Sequence, residues 1–352
     1  MIQLNQLLTL QIVKTNDSIM SMALRTKILV IISISITILI GCNKLSNEGK
    51  ERFREAIVRN EIKYIRYILS KDLDLNDEKL FGYLPLHIAV EADNIEIIKL
   101  FLDHGADINA VDGMKQNCLF KTYNIETAKY LIEHGANVNQ IDEYGAIPLF
   151  NVTWYYDLAK LYIEKGTNIY HKDKEGDGVL FYALMNDNYE LIKYIIKIDN
   201  KIINFIDNVG YNSLIWYSAT GFGNVNIADL LIRHGIDVNY SNYKGINSLI
   251  ANILNRKCNR SVYGGKIYNL NQNIKYINYL INKGININHI DIKSNTALHY
   301  AVVLNREKEL IKLLLDNGAK VDIKNIQGKT PIDIAIEKGR KDIVDLLKKY
   351  AK

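Results

Sequence analysis

Histidine and cysteine are the first side chains to consider for chemistry, because they supply many of the catalytic bases, nucleophiles and zinc ligands of proteins. The chain has 352 residues, with seven histidines and three cysteines. The histidines are spread singly along it, at His87, His104, His134, His171, His234, His289 and His299. A zinc site needs three or four converging ligands, so this spacing predicts structural or solvated histidines and no metal site. We expect His87 and His299 to hydrogen-bond backbone groups between neighbouring structural units.

Sequence patterns of enzymes are the next chemistry to test. Gly221-Phe222-Gly223 has the glycine spacing that begins a dinucleotide-binding loop, but no strand precedes it, and we interpret it as a turn between two helices. Neither a Gly-x-Ser-x-Gly elbow nor a His-Glu-x-x-His pair occurs in the sequence. The sequence therefore predicts a protein that is not an enzyme and that binds no cofactor.

A recurring phrase close to Leu-Leu-Ile-x-His-Gly-Ala-Asp-Val-Asn organises most of the chain. It occurs at Phe101–Asn109, Tyr130–Asn139, Leu161–Asn168, Leu230–Asn239, Leu280–Asn288 and Leu313–Asp322. The unit is about 33 residues long. The interval from Gly166 to Gly235 holds two units, of which the middle one has lost its glycine around residues 198–204. The interval from Gly235 to Gly284 holds one unit and an insertion.

A second phrase precedes each of these glycines by about twenty residues and identifies the family. It is clearest as Leu-Pro-Leu-His-Ile-Ala at 84–89, Thr-Ala-Leu-His-Tyr-Ala at 296–301 and Thr-Pro-Ile-Asp-Ile-Ala at 330–335. These residues resemble the ankyrin repeat, whose signature is Thr-Pro-Leu-His-x-Ala. The resemblance implies an all-α ankyrin-repeat solenoid, in which helix-turn-helix units with short β-hairpin fingers stack over residues 80–352 in about eight repeats. Residues 51–79 are expected to form an N-terminal capping half-repeat.

The residues support this architecture without the family name. The only prolines, Pro85, Pro148 and Pro331, occupy the same place in the unit, which is the first turn of a helix. Apolar residues at helical spacing follow, and the terminal glycine is typical of a left-handed helix end. One such helix pair cannot bury its apolar face alone, so neighbouring units must stack. The unit at 111–140 has a short first helix over residues 117–122.

The tip of each finger aligns as Asp-x-x-Gly-x, in which aspartate caps the turn and glycine adopts a positive φ. Four positions depart from this pattern. Lys115 and Ser294 replace the glycine, and Asn242 and Asn325 replace the aspartate. We expect the two tips without glycine to be strained or differently turned.

The resemblance further implies that the positions around the tip glycine, together with the inner helices, line a concave groove that binds a partner protein. Among these positions, which also include Val209, Ile292 and Ile326, the candidate contacts singled out are Phe81, Tyr83, Met114, Tyr144, Tyr211, Tyr243, Ile246 and Lys293. Large exposed side chains of this kind are typical interface anchors. The alternative for any single tyrosine is packing against the adjacent finger.

The N-terminal segment carries a separate signal. Arg25 and Lys27 precede an apolar run over residues 28–40, which is shorter than the roughly 20 residues of a membrane-spanning helix but suits a secretory signal peptide. Leu-Ile-Gly-Cys at 39–42 resembles the bacterial lipoprotein box. The resemblance implies a bacterial protein in which residues 1–41 are removed, Cys42 carries the lipid, and residues 42–50 form a tether. We expect translation to begin at Met20 or Met22. The alternative is a short uncleaved membrane anchor.

Charge and the remaining cysteines set few further limits on function. The net charge of +5 is spread along the chain, with no cluster of interleaved basic and aromatic residues, so nucleic acid is not indicated. We expect Cys118 to be buried and a disulfide with Cys258 not to form. The insertion over residues 255–273 is locally basic, and is either disordered or a contact for an acidic partner or phospholipid.

The sequence thus predicts an exported, membrane-anchored, monomeric scaffold that binds another protein through its groove, in the periplasm or on the cell surface. Three alternatives remain open at this point. They are a soluble cytoplasmic ankyrin-repeat protein, a surface or effector protein that binds host proteins, and an enzyme whose chemistry resides in the insertion.

Overall fold

The computed structural model describes residues 46–71, 73–254 and 270–351. Within these ranges the regular secondary structure is helical, and the extended pairings are three isolated antiparallel bridges. The chain divides into two compact units, Met1–Gly113 and Met114–Lys352. Each unit contains the helix pairs of an ankyrin-repeat solenoid, which confirms the predicted fold class. No helix in the described ranges is both long enough and apolar enough to cross a membrane.

The first unit opens with a helix pair ahead of its full repeat. Its helices are α1 (Asn47–Val58), α2 (Ile62–Leu69), α3 (Glu78–Phe81), α4 (Pro85–Glu91) and α5 (Ile95–Asp103). Helix α1 begins at Asn47 because the side chain of Ser46 caps it, accepting a hydrogen bond from the amide of Gly49 at 3.1 Å. The prediction of a tether up to residue 50 is therefore wrong for residues 47–50, which are helical. Residues 1–45, and with them the predicted signal peptide and Cys42, lie outside the described residues.

The second unit continues the alternation of inner and outer helices. After a 3₁₀ turn at Cys118–Lys121 come α6 (Ile125–Glu133), α7 (Pro148–Asn151), α8 (Tyr156–Glu164), α9 (Val179–Met185), α10 (Tyr189–Ile198), a 3₁₀ turn at Asn200–Asn204, α11 (Ser213–Thr220), α12 (Val225–Arg233), α13 (Ser248–Leu254), α14 (Leu270–Asn282), α15 (Ala297–Val303), α16 (Lys308–Asp316), α17 (Pro331–Glu337) and α18 (Lys341–Tyr350).

These helices form two layers. The inner helices α9, α11, α13, α15 and α17 pack each on the next, and so do the outer helices α6, α8, α10, α12, α14, α16 and α18. The core lies between the layers, where its largest fully buried side chains include Tyr162, Tyr217 and Tyr276. The helix pairs thus pack on their neighbours along the chain, as expected of a solenoid.

Local signals in the sequence set the helix ends. Pro85, Pro148 and Pro331 each occupy the first turn of a helix, as predicted. Thr296 and Thr330 begin α15 and α17 with capping boxes. The glycines of the recurring phrase adopt positive φ after the outer helices, for example 97° at Gly235.

Several details differ from the sequence prediction. The fingers are tight turns rather than hairpins of two strands, and three of them close with a single bridge, at Lys172 with Gly178, Ile206 with Asn212 and Ser241 with Asn247. The predicted insertion ends earlier than residue 273, because α14 already begins at Leu270. Its remaining residues, with Cys258, lie outside the described ranges.

Other predicted irregularities are confirmed. The short first helix of the 111–140 unit is the 3₁₀ turn at Cys118–Lys121, and Cys118 is buried, as predicted. The unit without a terminal glycine has a 3₁₀ turn at Asn200–Asn204 where the others bend at glycine. Gly221 and Gly223, both with positive φ, lie in the turn between α11 and α12.

Asparagine side chains link consecutive repeats in a recurrent way. Asn239 donates from Nδ2 to the carbonyl of Gly284 at 3.0 Å and accepts at Oδ1 from the amide of Asn286 at 2.7 Å. Asn139 and Asn288 make the same pair of bonds to the next repeat, and Asn76 does so within the first unit. In these repeats the asparagine at the end of the recurring phrase therefore fixes the register to the next repeat.

This role predicts a loss of stability on exchanging the amide for a carboxylate. Asn239→Asp keeps the acceptor for Asn286 but has no donor for the carbonyl of Gly284, so we expect a loss of about 1 kcal/mol in the free energy of unfolding. Urea unfolding followed by circular dichroism measures it. Asn226→Asp is the control, since it makes the same charge change at an exposed position of α12. Equal effects of the two changes would contradict the inter-repeat role.

Lys115 and Ser294, at the two finger tips without glycine, take the left-handed conformation, with φ of 62° and 55°. The turn is thus the same as at the other tips, and the predicted strain is present, because a side chain at positive φ crowds its own backbone. Ser294→Gly should relieve that crowding and raise the free energy of unfolding by about 0.5–1 kcal/mol in a denaturant titration. Ser294→Ala, which retains Cβ, serves as the control and should give no gain.

Candidate functional site

The finger tips of the second unit hold the most exposed of the predicted contact residues. Met114, Tyr144 and Tyr243 are 40%, 63% and 66% exposed, and Lys293 is also exposed. Val209, Ile292 and Ile326 occupy the same turns and are exposed to 40%, 64% and 68%. Six fingers therefore each present one large apolar side chain to solvent, and the finger at 173–177, which lies among them, does not.

Two of the predicted contact residues are buried instead, and the prediction is corrected for them. Phe81 is 1% exposed because it ends α3 and packs on Phe53, with ring centroids 5.5 Å apart. Ile246 is 7% exposed. It follows the tip glycine, where the chain turns back under the tip, and its amide donates to Oδ1 of Asn242 at 2.9 Å. Neither side chain can be reached by a partner.

Tyr83 and Tyr211 are half-buried. The hydroxyl of Tyr83 donates to the carbonyl of Lys50 at 2.8 Å, which ties the residue to α1. Burial raises the pKa of Tyr211 above its usual value. These two tyrosines thus follow the alternative in which the ring packs on its neighbours.

Each tip is shaped by the side chain that begins it. Oδ1 of Asp142 accepts from the amides of Tyr144 and Ala146 at 2.8 and 2.9 Å. Asn242 accepts from Lys244 and Ile246 at 3.0 and 2.9 Å, so asparagine caps the turn as well as aspartate does. Asn325 repeats the pattern. The replacement of aspartate by asparagine removes a negative charge and leaves the turn unchanged.

Backbone hydrogen bonds join each tip to the next. The amides of Glu143, Lys174, Asn208, Ile292 and Ile326 donate to the carbonyls of Met114, Tyr144, Glu175, Lys244 and Lys293, at 2.9 to 3.1 Å. Between the fingers at 207–211 and 242–246, the side chain of Asn242 donates to the carbonyl of Val209 at 3.1 Å. The exposed side chains are therefore carried by a linked row of turns rather than by independent loops.

The inner helices support the tips through tyrosines. The hydroxyl of Tyr182 in α9 donates to Oδ2 of Asp173 at 2.7 Å, and the hydroxyl of Tyr300 in α15 donates to Oδ2 of Asp291. Both tyrosines occupy the x of the Leu-His-x-Ala phrase. This role was not predicted from the sequence, although both repeats combine a tyrosine at x with an aspartate at the start of the tip.

An acidic region surrounds the tip at residues 173–177. Burial and, to a smaller extent, the charges of Asp173, Asp207 and Glu175 raise the pKa of Asp177 to about 7, although a hydrogen bond from the Trp216 side chain lowers it. The folded-state pKa therefore exceeds the unfolded value. The stability that this shift represents is present at low pH and is lost as the pH rises through about 4 to 7.

Asp177→Asn should consequently stabilise the protein at pH 8 and leave its stability unchanged near pH 4, because the amide is neutral throughout and retains an acceptor for Trp216. The side chain is partly exposed, and solvent screening reduces the expected gain at pH 8 to about 1–2 kcal/mol. Denaturant unfolding at both pH values measures it. A gain of equal size at the two pH values would show that charge is not the cause.

The histidines make structural contacts, as predicted. His87 and His299 are buried, and their Nε2 atoms donate to the carbonyls of Ala110 and Lys329, both at 3.2 Å. Burial lowers the pKa of His299. The other five donate to the carbonyls of Leu100, Tyr130, Gly145, Leu230 and Gly245. Within the described ranges no cluster of His, Cys, Asp and Glu is placed to hold a metal.

A second apolar surface lies between α6 and α8. A shallow cleft of about 580 Å³ is lined by Tyr123, Ile125, Tyr155, Tyr156, Asp157, Leu158, Lys160, Leu161 and Glu164. The ring centroids of Tyr123 and Tyr155 lie 6.0 Å apart, and the ring planes are tilted by 51°. These residues lie on the outer helices and the loops before them, away from the finger tips, so they form a separate exposed patch.

The family assignment agrees with this geometry. The family model described as Ankyrin repeats (3 copies) matches residues 32–112, 151–242 and 267–352. The chain therefore belongs to the ankyrin-repeat family, whose members are typically non-catalytic scaffolds for protein–protein interaction.

Three relatives illustrate similarity over part of their length. The human palmitoyltransferase ZDHHC13 is 26% identical over 216 residues, which cover 56% of this chain and 34% of that protein. A putative ankyrin repeat protein of Acanthamoeba polyphaga mimivirus is 25% identical over 313 residues, which cover 88% of this chain and 34% of that protein. A putative ankyrin repeat protein of fowlpox virus is 31% identical over 143 residues, which cover 41% and 29%. The chain spans about a third of the length of these relatives.

Proposed function

We propose that this protein binds a partner protein along the finger tips of its second unit and that it catalyses no reaction. The observation that carries the proposal is the row of exposed apolar side chains at Met114, Tyr144, Val209, Tyr243, Ile292 and Ile326. When a partner covers such side chains, the free energy falls by about 25 cal/mol per Å² of apolar surface removed from water. Exposed apolar side chains that recur along one face are typical of an interaction surface.

The scaffold role is supported by how the tips are held. Successive tips are hydrogen-bonded to each other, and the tip turns are capped by buried or half-buried Asp and Asn side chains. A surface that is ordered before binding loses less conformational entropy when the partner arrives. The histidines serve the same scaffold, since each donates a ring N–H to a backbone carbonyl.

A comparison of paired substitutions tests the site. Full-length protein carrying Ile292→Ser with Ile326→Ser, or Met114→Ser with Tyr144→Ser, should capture less of a partner than the unaltered protein in a quantitative pull-down. Tyr123→Ser with Tyr155→Ser is the matched control, because these side chains are 57% and 51% exposed but lie away from the tips. Loss of capture by the control pair alone would place the interaction on the outer helices and contradict the proposal.

We also propose that the protein is a monomer, is exported by a bacterium and is held at a membrane by a lipid on Cys42. The support for export and for the lipid anchor is the sequence of residues 25–42. Labelling cells with radioactive palmitate should give a labelled band that disappears in Cys42→Ala. A protein that is unlabelled and remains in the cytoplasm would favour the soluble alternative. Proteolysis of intact cells would separate a surface protein that binds host proteins from a periplasmic scaffold.

A further inference from the structure

We infer that the last three fingers of the second unit, 242–246, 291–295 and 325–329, form a subsite for a partner segment that carries both apolar and acidic side chains. The inference rests on the proposed function and deepens it by naming the chemistry of the partner. Its basis is a change in the tip residues along the unit. The change preserves the conformation of the turns and alters the charge and the position of the side chains that they expose.

Charge differs between the two halves of the row. The fingers at 142–146, 173–177 and 207–211 contain six carboxylates and one lysine, whereas the last three fingers contain one carboxylate and three lysines. Part of the difference comes from Asn242 and Asn325, which cap their turns as aspartate does but carry no charge. The same fold thus presents an acidic row followed by a basic one.

Two of these lysines are available to a partner. Lys329 is paired with Glu337 at 2.7 Å. Lys244 and Lys293 are exposed, and among the described residues neither has a carboxylate partner. The Nζ atom of Lys244 lies 5.6 Å from the centre of the Tyr243 ring, so the charge of the lysine is beside the apolar surface.

The apolar residue also moves within the tip. In the earlier fingers it is the second residue after the cap, at Tyr144 and Val209. In the last three fingers it is the first, at Tyr243, Ile292 and Ile326, and the second position is Lys244, Lys293 or Gln327. Each of the last three apolar residues is more than 60% exposed. The result is an apolar row with a basic row directly beside it.

This arrangement favours a peptide segment over an anionic membrane. Two unpaired lysines contribute only about 1 kcal/mol each at a charged bilayer surface, which is too little for stable attachment. A segment with apolar and acidic side chains would bury the three apolar tips and pair with both lysines, while the carboxylates of the preceding fingers would repel its acidic residues if it shifted along the unit. Complementary charge would therefore set the position of the partner.

Selection from a random peptide library displayed on phage tests the inference. Full-length protein carrying Cys42→Ala, so that no lipid can attach there, is the bait. We expect the enriched peptides to combine Asp or Glu with Leu, Ile or Phe. Their synthetic forms should bind about tenfold or more weakly to Lys244→Glu with Lys293→Glu and to Ile292→Ser with Ile326→Ser. The affinity for the unaltered site should fall as salt rises.

Two controls accompany the selection, a variant with the same charge change elsewhere and a membrane surface. Lys129→Glu with Lys193→Glu makes the same change of net charge on exposed residues of the outer helices and should leave binding intact. Vesicles of phosphatidylglycerol provide the membrane arm. Enriched peptides that bind the last three tips but lack acidic residues would overturn the inference and leave the proposed function standing. Peptides insensitive to every tip substitution would overturn both, and binding to vesicles through Lys244 and Lys293 without peptide selection would overturn the inference.

Discussion

Gly245→Ala is expected to lower the free energy of unfolding by about 3 kcal/mol, from two effects of the same methyl group. Gly245 has a φ of 71°, where an L side chain crowds its own backbone. A Cβ built there lies 2.7 Å from Cα of Asp291 and 3.1 Å from the amide nitrogen of Ile292. Those are backbone atoms of the next finger, so relief requires the two repeats to separate. Urea unfolding followed by circular dichroism measures the loss.

Gly284→Ala separates the two effects. Gly284 has a φ of 86°, but a Cβ there meets no atom within 4 Å. It should therefore show only the conformational cost of about 1 kcal/mol. Equal losses at Gly245 and Gly284 would mean that the tips of neighbouring fingers do not approach each other as described.

Tyr217→Ala should cost about 4 kcal/mol, because it removes a fully buried ring from α11 and leaves a cavity. The ring packs edge-on against Tyr276, with centroids 6.1 Å apart. The hydroxyl donates to Oδ1 of Asp187 at 2.6 Å and accepts from the amide of Asn224 at 3.2 Å. Burial raises the pKa of Tyr217, so the hydroxyl keeps its proton for the bond to Asp187.

The hydroxyl contribution is measured by Tyr217→Phe. This change keeps the ring but removes one partner from each of Asp187 and Asn224, so we expect a loss of about 1–3 kcal/mol. Tyr243→Phe at an exposed tip is the control and should stay within about 0.5 kcal/mol. Thermal and urea unfolding of the three variants should show the largest loss of stability for Tyr217→Ala, a smaller loss for Tyr217→Phe and the smallest for Tyr243→Phe. If Tyr217→Phe matches the control, the hydrogen bonds of Tyr217 do not stabilise the fold.

The stack of helix pairs could be predicted because its signals are local and repeated. Pro85, Pro148 and Pro331 mark helix starts, and glycines such as Gly235 mark helix ends, so the period identifies the unit without knowledge of tertiary contacts. The tip turn was also predictable, since the Asp-x-x-Gly pattern specifies it. Even its departures were informative, because Lys115 and Ser294 do adopt the strained conformation.

The accessible surface was less predictable, because it depends on contacts between repeats. Ile246 and Tyr243 belong to the same turn, yet one is buried under it and the other is 66% exposed. Phe81 aligns with a tip but lies at the end of a helix and packs on α1. Ile292 and Ile326 were not singled out from the sequence, although they are as exposed as Tyr243. The charge difference between the two halves of the row is visible in the sequence, but which of the lysines are exposed and without a carboxylate partner depends on the fold.

The pairing of the tip amides restricts how any molecule can dock. The N–H groups of Glu143, Lys174, Asn208, Ile292 and Ile326 are already used within the row. At these positions an incoming chain finds no vacant amide to extend a sheet by strand addition. Selectivity between partners must therefore depend on exposed side chains that do not stabilise the fold. Substitutions at Ile292, Lys293 or Ile326 could then redirect the protein toward new ligands while the architecture is conserved.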